Sequence, residues 1–368
     1  MRVALVHDWL LTRGGAERVL EAIWRLYPEA DLYTVLADPA ALPEQARGRR
    51  VRETWIRSLP RANRWYQRYL PFMTCAIEDL DLSAYDLVLS DSSAVSKGVL
   101  TRTGTVHVSY IHSPMRYAWD LYHEYRRHEA SPTERRVMSP VFSYVRQWDY
   151  LAAQRPDVLL ANSSTVQQRI EKHYRRSSQV IFPPVDVDRF AGPFSDAGPY
   201  WLVLSRLVSY KRFDLAVEAC NRLRMPLVIA GDGPERVRLQ RLAGPTVRFT
   251  GPVSDVEAAR LLTESRGLLF PGEEDFGIVL VEAQAAGRPV VAYGRGGALD
   301  TVVDGETGVL FREQTADGLV DAMRRTMNGS WDPARLRSNA ERFSARRFDH
   351  EYSHAVQRAL VNAGRAGP

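Results

Sequence analysis

The chain has 368 residues, of which 45% are hydrophobic and 25% charged, and its net charge is +5. These values exclude disordered, collagen-like and coiled-coil proteins and predict about two globular domains of roughly 100–200 residues each. The two cysteines, Cys75 and Cys220, are too few for a disulfide scaffold or a cysteine zinc site, which favours a reducing cytoplasm. The mild basic excess fits phosphorylated ligands or an anionic membrane surface, and we predict no nucleic-acid partner.

The amino-terminal residues predict a buried strand followed by a helix. The apolar run Val3–His7 is a strand candidate, and no small-residue cleavage site follows it, so no signal peptide is expected. No apolar run approaches the ~20 residues that span a bilayer. A loop with Gly14 and Gly15 comes next, and then an amphipathic helix that ends before Pro28.

A segment rich in arginine and aromatic residues, 47–72, differs in composition from the rest of the first half. Its single acid is Glu53. Arginine together with Trp and Tyr is typical of an interfacial helix that binds an anionic membrane surface. A surface helical hairpin whose aromatic side chains belong to the core is the alternative. The arginines are Arg47, Arg49, Arg50, Arg52, Arg57, Arg61, Arg64 and Arg68.

Three more buried strands are predicted in the first half, and polar residues follow each of them. The strands are Leu87–Ser90, Val106–Ile111 and Val158–Ala161, followed by Asp91-Ser92-Ser93, His112-Ser113-Pro114 and Asn162-Ser163-Ser164. Strands that alternate with helices predict βαβ units and a mostly parallel sheet. Because ligands bind beyond the carboxyl ends of such strands, these polar residues are site candidates as a set.

A second α/β series follows the proline pair at 183–184. Its predicted strands are Tyr200–Ser205, Leu227–Ala230, Val247–Thr250, Gly267–Phe270, Pro289–Ala292 and Gly308–Phe311. We therefore predict an α/β protein with two Rossmann-like, doubly wound domains, over 1–182 and 183–345, and a carboxy-terminal helix over 346–368.

The segment 271–283 carries the strongest chemical signal. It follows a predicted strand and opens an apolar helix. Gly277 allows a ligand to approach the backbone, and the N–H groups of Gly277, Ile278 and Val279 at the helix start form an anion site suited to a diphosphate.

Two glutamates flank this helix start. Glu274 lies in the preceding loop and Glu282 about one turn into the helix. An ionised carboxylate only accepts hydrogen bonds, so the two residues suit the paired hydroxyls of a sugar or a ribose. The alternative is that these acids merely complement the helix dipole. This alternative accounts for Glu274, but it accounts less well for Glu282, which has apolar neighbours in the sequence.

With these motifs the chain resembles the retaining glycosyltransferases of family 4, which have the two-domain GT-B fold. Glu274 and Glu282 match the paired-glutamate motif of that family. The resemblance extends over nearly the whole chain, with one departure: Asp300 stands where the family usually has a glutamate. The other matching residues are Gly14-Gly15, His112-Ser113-Pro114, Asn162-Ser163, Ser205-Arg206-Leu207, Lys211, Gly231-Asp232-Gly233-Pro234, Gly296-Gly297 and Asp304-Gly305-x-Thr307-Gly308.

The resemblance implies that the two domains face each other across a cleft and that the last helix packs back on the first domain. The stretches 6–10 and 112–117 look most like the bacterial mannosyltransferases that build O-antigen and related surface polysaccharides. A cytoplasmic enzyme, peripheral on the inner face of the cell membrane, is therefore expected. Its substrates would be GDP-mannose and a glycan or lipid-linked glycan acceptor.

The resemblance also implies roles for single residues. Arg206 and Lys211 would hold the donor diphosphate as permanent cations. His112 would lie at the sugar ring, although a lone histidine at a strand end is more often structural. Gly15 would touch the donor phosphate. Gly14, Asp91 and Ser92 are acceptor candidates, with capping of the next helix as the alternative for Asp91 and Ser92. Glu282 would bind the ribose, and Gly251 and Val253 would border the base.

The implied mechanism is a front-face displacement in which the departing phosphate oxygen takes the acceptor proton. Glu274 would support positive charge at the anomeric carbon. No Asp-x-Asp pair stands at a strand end in a metal-ligand context, so neither a metal nor a cofactor is expected to be needed.

Four other functions were compared with this expectation. A UDP-sugar-dependent transferase of the same family, a sugar-nucleotide epimerase and a non-catalytic sugar-nucleotide-binding protein all remain open. A dinucleotide dehydrogenase is the least favoured, because Arg18 stands where the Gly-x-Gly-x-x-Gly fingerprint needs its last glycine.

Overall fold

A computed structural model describes residues 1–12, 14–46, 49–128 and 131–364 of the chain. The chain divides into two compact units. Unit 1 comprises Met1–Phe182 with Phe348–Pro368, and unit 2 comprises Pro183–Arg347. Each unit is built on one parallel sheet, so the predicted α/β class with two Rossmann-like halves is confirmed.

Unit 1 holds a seven-stranded sheet. Its strands are β1 (Val3–His7), β2 (Asp31–Thr34), β3 (Arg52–Glu53), β4 (Leu87–Ser92), β5 (Val106–Ile111), β6 (Val158–Ala161) and β7 (Gln179–Val180). The strands pair in parallel in the order β3-β2-β1-β4-β5-β6-β7. The helices are α1 (Gly15–Leu26), α2 (Ala62–Trp65), α3 (Leu70–Glu78), α4 (Tyr122–His128), α5 (Pro132–Ala152) and α6 (Ser164–Tyr174).

Unit 2 holds a six-stranded sheet. Its strands are β8 (Trp201–Leu204), β9 (Leu227–Ala230), β10 (Val247–Gly251), β11 (Gly267–Phe270), β12 (Val290–Tyr293) and β13 (Gly308–Phe311). They pair in parallel in the order β10-β9-β8-β11-β12-β13. The helices are α7 (Phe213–Leu223), α8 (Arg236–Leu242), α9 (Asp255–Thr263), α10 (Ile278–Ala285), α11 (Ala298–Thr301), α12 (Ala316–Asn328) and α13 (Pro333–Glu341).

Helices cover both faces of the sheets, so the central strands are buried. Every residue of β4 and β5 is buried, as expected for a parallel sheet that is covered on both sides. The last helix, α14 (Ala345–Asn362), contributes Phe348 and Tyr352 to the core of unit 1, where both rings pack near Tyr110. Burial of each such large side chain contributes roughly 1.5–3 kcal/mol to stability.

Several predicted strand borders were wrong, and two of these errors concern candidate residues. Asp91 and Ser92 lie inside β4 and do not follow it, and Gly251 is the last residue of β10. The strands β2, β3 and β7 were not predicted. Two of them, β3 and β7, have two residues each, too few for a hydrophobic period to stand out, and β2 has only two apolar residues between Asp31 and Thr34.

The composition predicts one interfacial helix for the arginine-rich segment, and the structure shows several short elements instead. From Arg52 onward it runs through the short strand β3, a 3-10 turn at Trp55–Ser58, α2, a second 3-10 turn at Tyr66–Tyr69 and the start of α3. Arg47 lies outside the described residues. Ile56 and Leu70 belong to the core, and Tyr66 and Tyr69 pack against it, as the alternative interpretation had it.

The search for membrane-spanning helices gives a negative result for the part of the chain that the structure describes. No helix in it combines the length and the apolarity needed to cross a bilayer.

Candidate functional site

In parallel sheets of this kind, ligands bind at the point where the strand order reverses. In unit 2 the chain moves outward from β8 in one direction and restarts at β11 on the other side. Loops that leave β8 and β11 therefore diverge at the carboxyl edge and leave a crevice. The predicted Arg206, Lys211 and Glu274 all lie on these two loops.

The structure brings Lys211 and Glu274 into direct contact. Nζ of Lys211 lies 2.5 Å from Oε1 of Glu274, and it donates a hydrogen bond of 2.5 Å to Oγ of Ser205. Lys211 is buried, whereas about a quarter of the Glu274 side chain is exposed (26%). Glu274 therefore neutralises the buried charge of Lys211, while the exposed part of its carboxylate stays accessible to a ligand.

Close backbone packing fixes this pair. A Cβ atom on Gly272 would lie 2.5 Å from Cα of Lys211, and one on Gly296 would lie 2.2 Å from the carbonyl oxygen of Glu274. Gly296 also has φ of +63°, which disfavours other residues. The N–H of Gly297 donates to the same carbonyl at 2.8 Å. The two glycine positions thus let three loops meet at the Lys211–Glu274 pair.

The start of α10 has the geometry of an anion site. Gly277 precedes the helix with φ of +83°, and no side chain caps it among the described residues. Ile278 and Val279 are the first two helical residues. Their N–H groups and that of Gly277 belong to the first turn, where backbone donors lack an intrahelical acceptor and the dipole favours negative charge.

Glu282 has a different cationic partner, which the sequence analysis missed. Oε1 of Glu282 accepts a hydrogen bond of 2.7 Å from Nη2 of Arg189, and Glu282 is only 5% exposed. Arg189 lies in the short turn Asp188–Phe190. No spacing rule connects residues 93 positions apart, so only the fold could show this contact.

The remaining unit 2 candidates lie at the rim. Arg206 is exposed directly after β8, Gly251 is buried at the end of β10, and Val253 is half-buried in the next loop. Arg206 therefore has its charge in solvent, unlike Lys211.

In unit 1 the structure joins three of the strand-end residues through one buried carboxylate. Oδ2 of Asp91 lies 2.9 Å from Nδ1 of His7, and Oδ1 lies 2.6 Å from Nε2 of His112. Asp91 is fully buried and His7 is 2% exposed, while 14% of the His112 side chain reaches solvent. His112 is thus the accessible end of a buried chain.

These contacts change the protonation of all three groups. Burial disfavours the charged form of His7, but its hydrogen bonds to Asp91 and Glu17 outweigh this and raise the pKa of His7 to about 10. Burial likewise opposes the charge on His112, and Asp91 raises the pKa of His112. Burial would raise the pKa of Asp91, yet the two histidines lower it.

The helix-cap alternative for Asp91 is wrong, because Asp8 has that role. The carboxylate of Asp8 accepts hydrogen bonds of 2.6–2.8 Å from the backbone N–H groups of residues 93–96. Ser92 accepts a weaker bond of 3.3 Å from the N–H of Lys97. Gly14 precedes α1 and Gly15 begins it, both exposed, and no side chain caps that helix start within the described residues.

An aromatic cavity of about 210 Å³ lies in unit 1 and was not predicted. Its lining includes Trp9, Tyr66, Tyr117 and Phe142. Among the described residues, the buried hydroxyl of Tyr117 has no hydrogen-bond partner. Aromatic faces beside a polar group can bind a sugar ring, which has apolar C–H faces and hydroxyl edges.

Two family profiles match adjacent parts of the chain. The profile described as Glycosyltransferase Family 4 matches residues 13–189, and the one described as Glycosyl transferases group 1 matches residues 185–343. Together they extend over most of both units, including the His112 region in unit 1 and the Lys211–Glu274 pair in unit 2.

Curated relatives match part of the chain. A glycogen synthase from Pseudomonas aeruginosa is 35% identical over 170 residues, which cover 44% of this chain and 33% of the relative. A GDP-mannose-dependent alpha-(1-6)-phosphatidylinositol monomannoside mannosyltransferase from Mycolicibacterium smegmatis is 36% identical over 174 residues, which cover 38% of this chain and 44% of the relative. The chain therefore spans about a third to a half of the length of these relatives.

Solved structures match the whole fold. The crystal structure of HepE from Anabaena in complex with UDP and glucose has a TM-score of 0.68 at 19% sequence identity. The match covers 97% of this chain and 99% of that one. At this identity the likeness shows a common fold.

Proposed function

Since the chain belongs to family 4 of the glycosyltransferases and has the GT-B fold, we propose that it is a hexosyltransferase. It transfers a hexose from a nucleotide sugar to a glycan or lipid-linked glycan acceptor in surface polysaccharide synthesis. The observation that carries this proposal is the Lys211–Glu274 pair beside the uncapped start of α10. A cation, a carboxylate and free helix N–H groups match the diphosphate and the hydroxyls of such a donor.

The favoured donor is GDP-mannose. The resemblance of residues 6–10 and 112–117 to bacterial mannosyltransferases supports it, and one relative is named as GDP-mannose-dependent. A UDP-sugar is the second candidate, because the HepE structure contains UDP and glucose. A sugar-nucleotide epimerase would convert its donor without an acceptor, and a non-catalytic binding protein would bind the donor without turnover.

The proposed chemistry uses the residues of unit 2 on the donor. Lys211, Arg206 and the N–H groups of residues 277–279 hold the diphosphate and stabilise the charge that develops on it as the sugar leaves. Glu274 binds sugar hydroxyls and supports positive charge at the anomeric carbon, and Glu282 binds the ribose. Gly251 and Val253 border the base. These groups supply the electrostatic stabilisation, so the proposal includes no metal ion.

Unit 1 receives the acceptor and the sugar ring in this proposal. His112 donates a hydrogen bond to the sugar, and Gly15 approaches the donor phosphate. The departing phosphate oxygen takes the acceptor proton, so the new bond forms on the face from which the phosphate leaves and the configuration is retained. The aromatic cavity around Trp9 and Tyr117 holds a sugar ring of the acceptor.

A thermal-shift panel of GDP-, UDP-, ADP- and dTDP-sugars tests the donor assignment. Ligand at ~100 times its Kd stabilises the protein by about 2.7 kcal/mol, which separates a bound donor from an unbound one. GDP-mannose is expected to give the largest shift. Product analysis with and without an acceptor then distinguishes transfer from epimerisation. A larger shift with a UDP-sugar would replace the GDP-mannose proposal.

Lys211→Ala is expected to weaken nucleoside diphosphate binding by roughly 1.5–3 kcal/mol, the contribution of a charge-assisted hydrogen bond. This corresponds to about 10- to 150-fold in Kd, measured by isothermal titration calorimetry. Arg222→Ala is the control, since Arg222 is a half-exposed cation of the same unit that pairs with Glu218 and Asp317. Equal Kd values for Lys211→Ala and the unmodified protein would remove Lys211 from the diphosphate site.

The proposed location is the cytoplasmic face of the cell membrane, where unit 1 binds anionic lipid. Trp55 is 42% exposed and Phe72 is 55% exposed, although both are large apolar side chains. A groove of the same segment is lined by Arg57, Arg61 and Arg64. Exposed aromatic rings and clustered arginines in one segment provide the two attractions that interfacial binding needs, apolar burial and charge complementarity.

The triple variant Arg57→Gln, Arg61→Gln, Arg64→Gln is expected to bind phosphatidylglycerol vesicles about 100-fold more weakly. Each basic residue near an anionic surface contributes about 1 kcal/mol. Co-sedimentation measures the loss, with phosphatidylcholine vesicles as the uncharged comparison. Its matched control exchanges three exposed arginines of unit 2, Arg222, Arg238 and Arg260, for Gln. Similar losses in both triple variants would contradict a defined lipid surface on unit 1.

A further inference from the structure

A line of four side chains runs through the interior of unit 1 to His112. Glu17 belongs to α1, His7 ends β1, Asp91 lies in β4, and His112 follows β5. Oε1 of Glu17 lies 3.9 Å from Nε2 of His7, and the next two distances, His7 to Asp91 and Asp91 to His112, are 2.9 and 2.6 Å. Of these four residues, His112 is the one that contacts the transferred sugar in the proposed function.

We propose that His7 is a positioning residue for His112. His7 holds one carboxylate oxygen of Asp91, so that the other oxygen holds Nε2 of His112 and leaves Nδ1 of His112 for the substrate in one ring orientation. This proposal rests on the proposed function, in which His112 contacts the transferred sugar.

The geometry makes Asp91 an intermediary. Asp91 is fully buried, and each of its two oxygens has its own histidine, so the carboxylate can neither rotate nor reach an acceptor directly. A buried carboxylate with one oxygen left unpaired would cost free energy and could turn toward another donor. His7 prevents this by occupying the second oxygen.

Glu17 extends the line to the beginning of α1. Its side chain is 11% exposed and lies on the far side of the His7 ring from Asp91. Gly14 and Gly15 form the start of the same helix, so Glu17 lies within one turn of that start. The line therefore connects His112 physically to the start of α1. That helix start is the one proposed to meet the donor phosphate.

The charges along the line alternate in sign. His7 is an imidazolium between two carboxylates, and its charge persists until the pH rises through about 10. His7 and His112 share Asp91, so the charge on His7 lowers the pKa of His112 while Asp91 raises it. The other charged group that acts on His112 is Asp8, which the N–H groups of residues 93–96 hold in place. The hydroxyl of Tyr352, from α14, also lies in the field of Asp91, and burial keeps it neutral by raising its pKa.

The test is the titration of His112, followed by NMR of histidine-labelled protein without any substrate. His7→Gln keeps a hydrogen-bond donor for Asp91 but removes the charge, so the pKa of His112 should rise. Asp91→Asn removes the carboxylate, so the pKa of His112 should fall. A role limited to packing would not shift the pKa of His112 in these opposite directions. The eight histidines of the chain make assignment by single replacement practicable.

His107→Gln is the matched control. His107 is also fully buried in the same sheet, and its Nε2 bonds Ser90, outside the line. The His107→Gln variant should leave the titration of His112 unchanged. Glu17→Gln removes a negative charge that lies farther from His112, so it should lower the pKa of His112 as Asp91→Asn does, but by less. An unchanged titration in His7→Gln would overturn the proposal.

Kinetics provide the second measurement. A positioning residue changes kcat and the pH dependence of kcat more than the KM for the donor, so His7→Gln should lower kcat about tenfold or more with KM within about twofold. Absence of transfer by the unmodified protein with every donor would refute the proposed function and leave the NMR result standing. Normal kcat and an unchanged pH profile in His7→Gln, with transfer present, would refute only this inference.

Discussion

Glu274→Gln is expected to lower kcat by about 100- to 1,000-fold and to leave the Kd of a nucleoside diphosphate unchanged or lower. The loss in rate follows from the removal of a carboxylate that stabilises positive charge at the anomeric carbon, and electrostatic groups of this kind contribute about this much. The affinity is expected to hold because Glu274 pairs with Lys211, at 2.5 Å between Oε1 and Nζ. Without that carboxylate the lysine keeps its full charge for the diphosphate.

Initial rates at saturating donor and calorimetric titration with the nucleoside diphosphate measure the two quantities separately. Asp317→Asn is a suitable control, because its side chain is an acid of the same unit that is 89% exposed. A Glu274→Gln enzyme with a kcat near that of the unmodified protein would show that Glu274 is not at the reacting carbon. A large loss of nucleotide affinity would show instead that Glu274 supports the fold of the loop.

Lys97→Met and Asp149→Asn are each expected to lower the free energy of unfolding of unit 1 by about 3–5 kcal/mol. Nζ of Lys97 lies 2.6 Å from Oδ1 of Asp149, and the two side chains are 1% and 0% exposed. Oδ2 of Asp149 also accepts hydrogen bonds from Nε1 of Trp119 and the hydroxyl of Tyr174. Removal of either partner leaves an uncompensated charge in the interior of the protein.

Urea unfolding followed by tryptophan fluorescence measures the loss. The double variant should be less destabilised than the sum of the two single variants, because no unpaired charge remains. Arg260→Ala is the comparison for an exposed pair and should lower the free energy of unfolding far less, since Arg260 is half-exposed beside Glu257 and Glu264. Single variants as stable as the unmodified protein would show that water reaches the Lys97–Asp149 pair.

The two largest expected effects concern different properties of the chain. Glu274 is expected to change turnover with little change in stability, because it is partly exposed and its loop is held by backbone packing of Gly272 and Gly296. Lys97 is expected to change stability first, because it is buried under α5 near the rings of Trp148 and Tyr174. Measuring both turnover and stability for the Glu274 and Lys97 variants therefore separates a role in chemistry from a role in folding.

The sequence by itself determined the fold class and predicted the type of ligand. Alternating apolar runs and amphipathic stretches predicted two parallel sheets, since burial on both faces requires continuous apolar strands. The motif around Glu274, Gly277 and Glu282 indicated a diphosphate and hydroxyl ligand from local chemistry alone. These features depend on residues that are close in sequence, where spacing and side-chain type are sufficient.

Only the tertiary structure decided which charged groups are partners. Arg189 with Glu282, Lys97 with Asp149, and His7 with Asp91 are contacts over 52 or more positions of the chain. Such pairs form because the fold brings residues that are distant in the chain close together, and burial then forces each charge to find a counterion. Composition and periodicity report which residues are buried or polar, but they carry no information about which buried charge meets which.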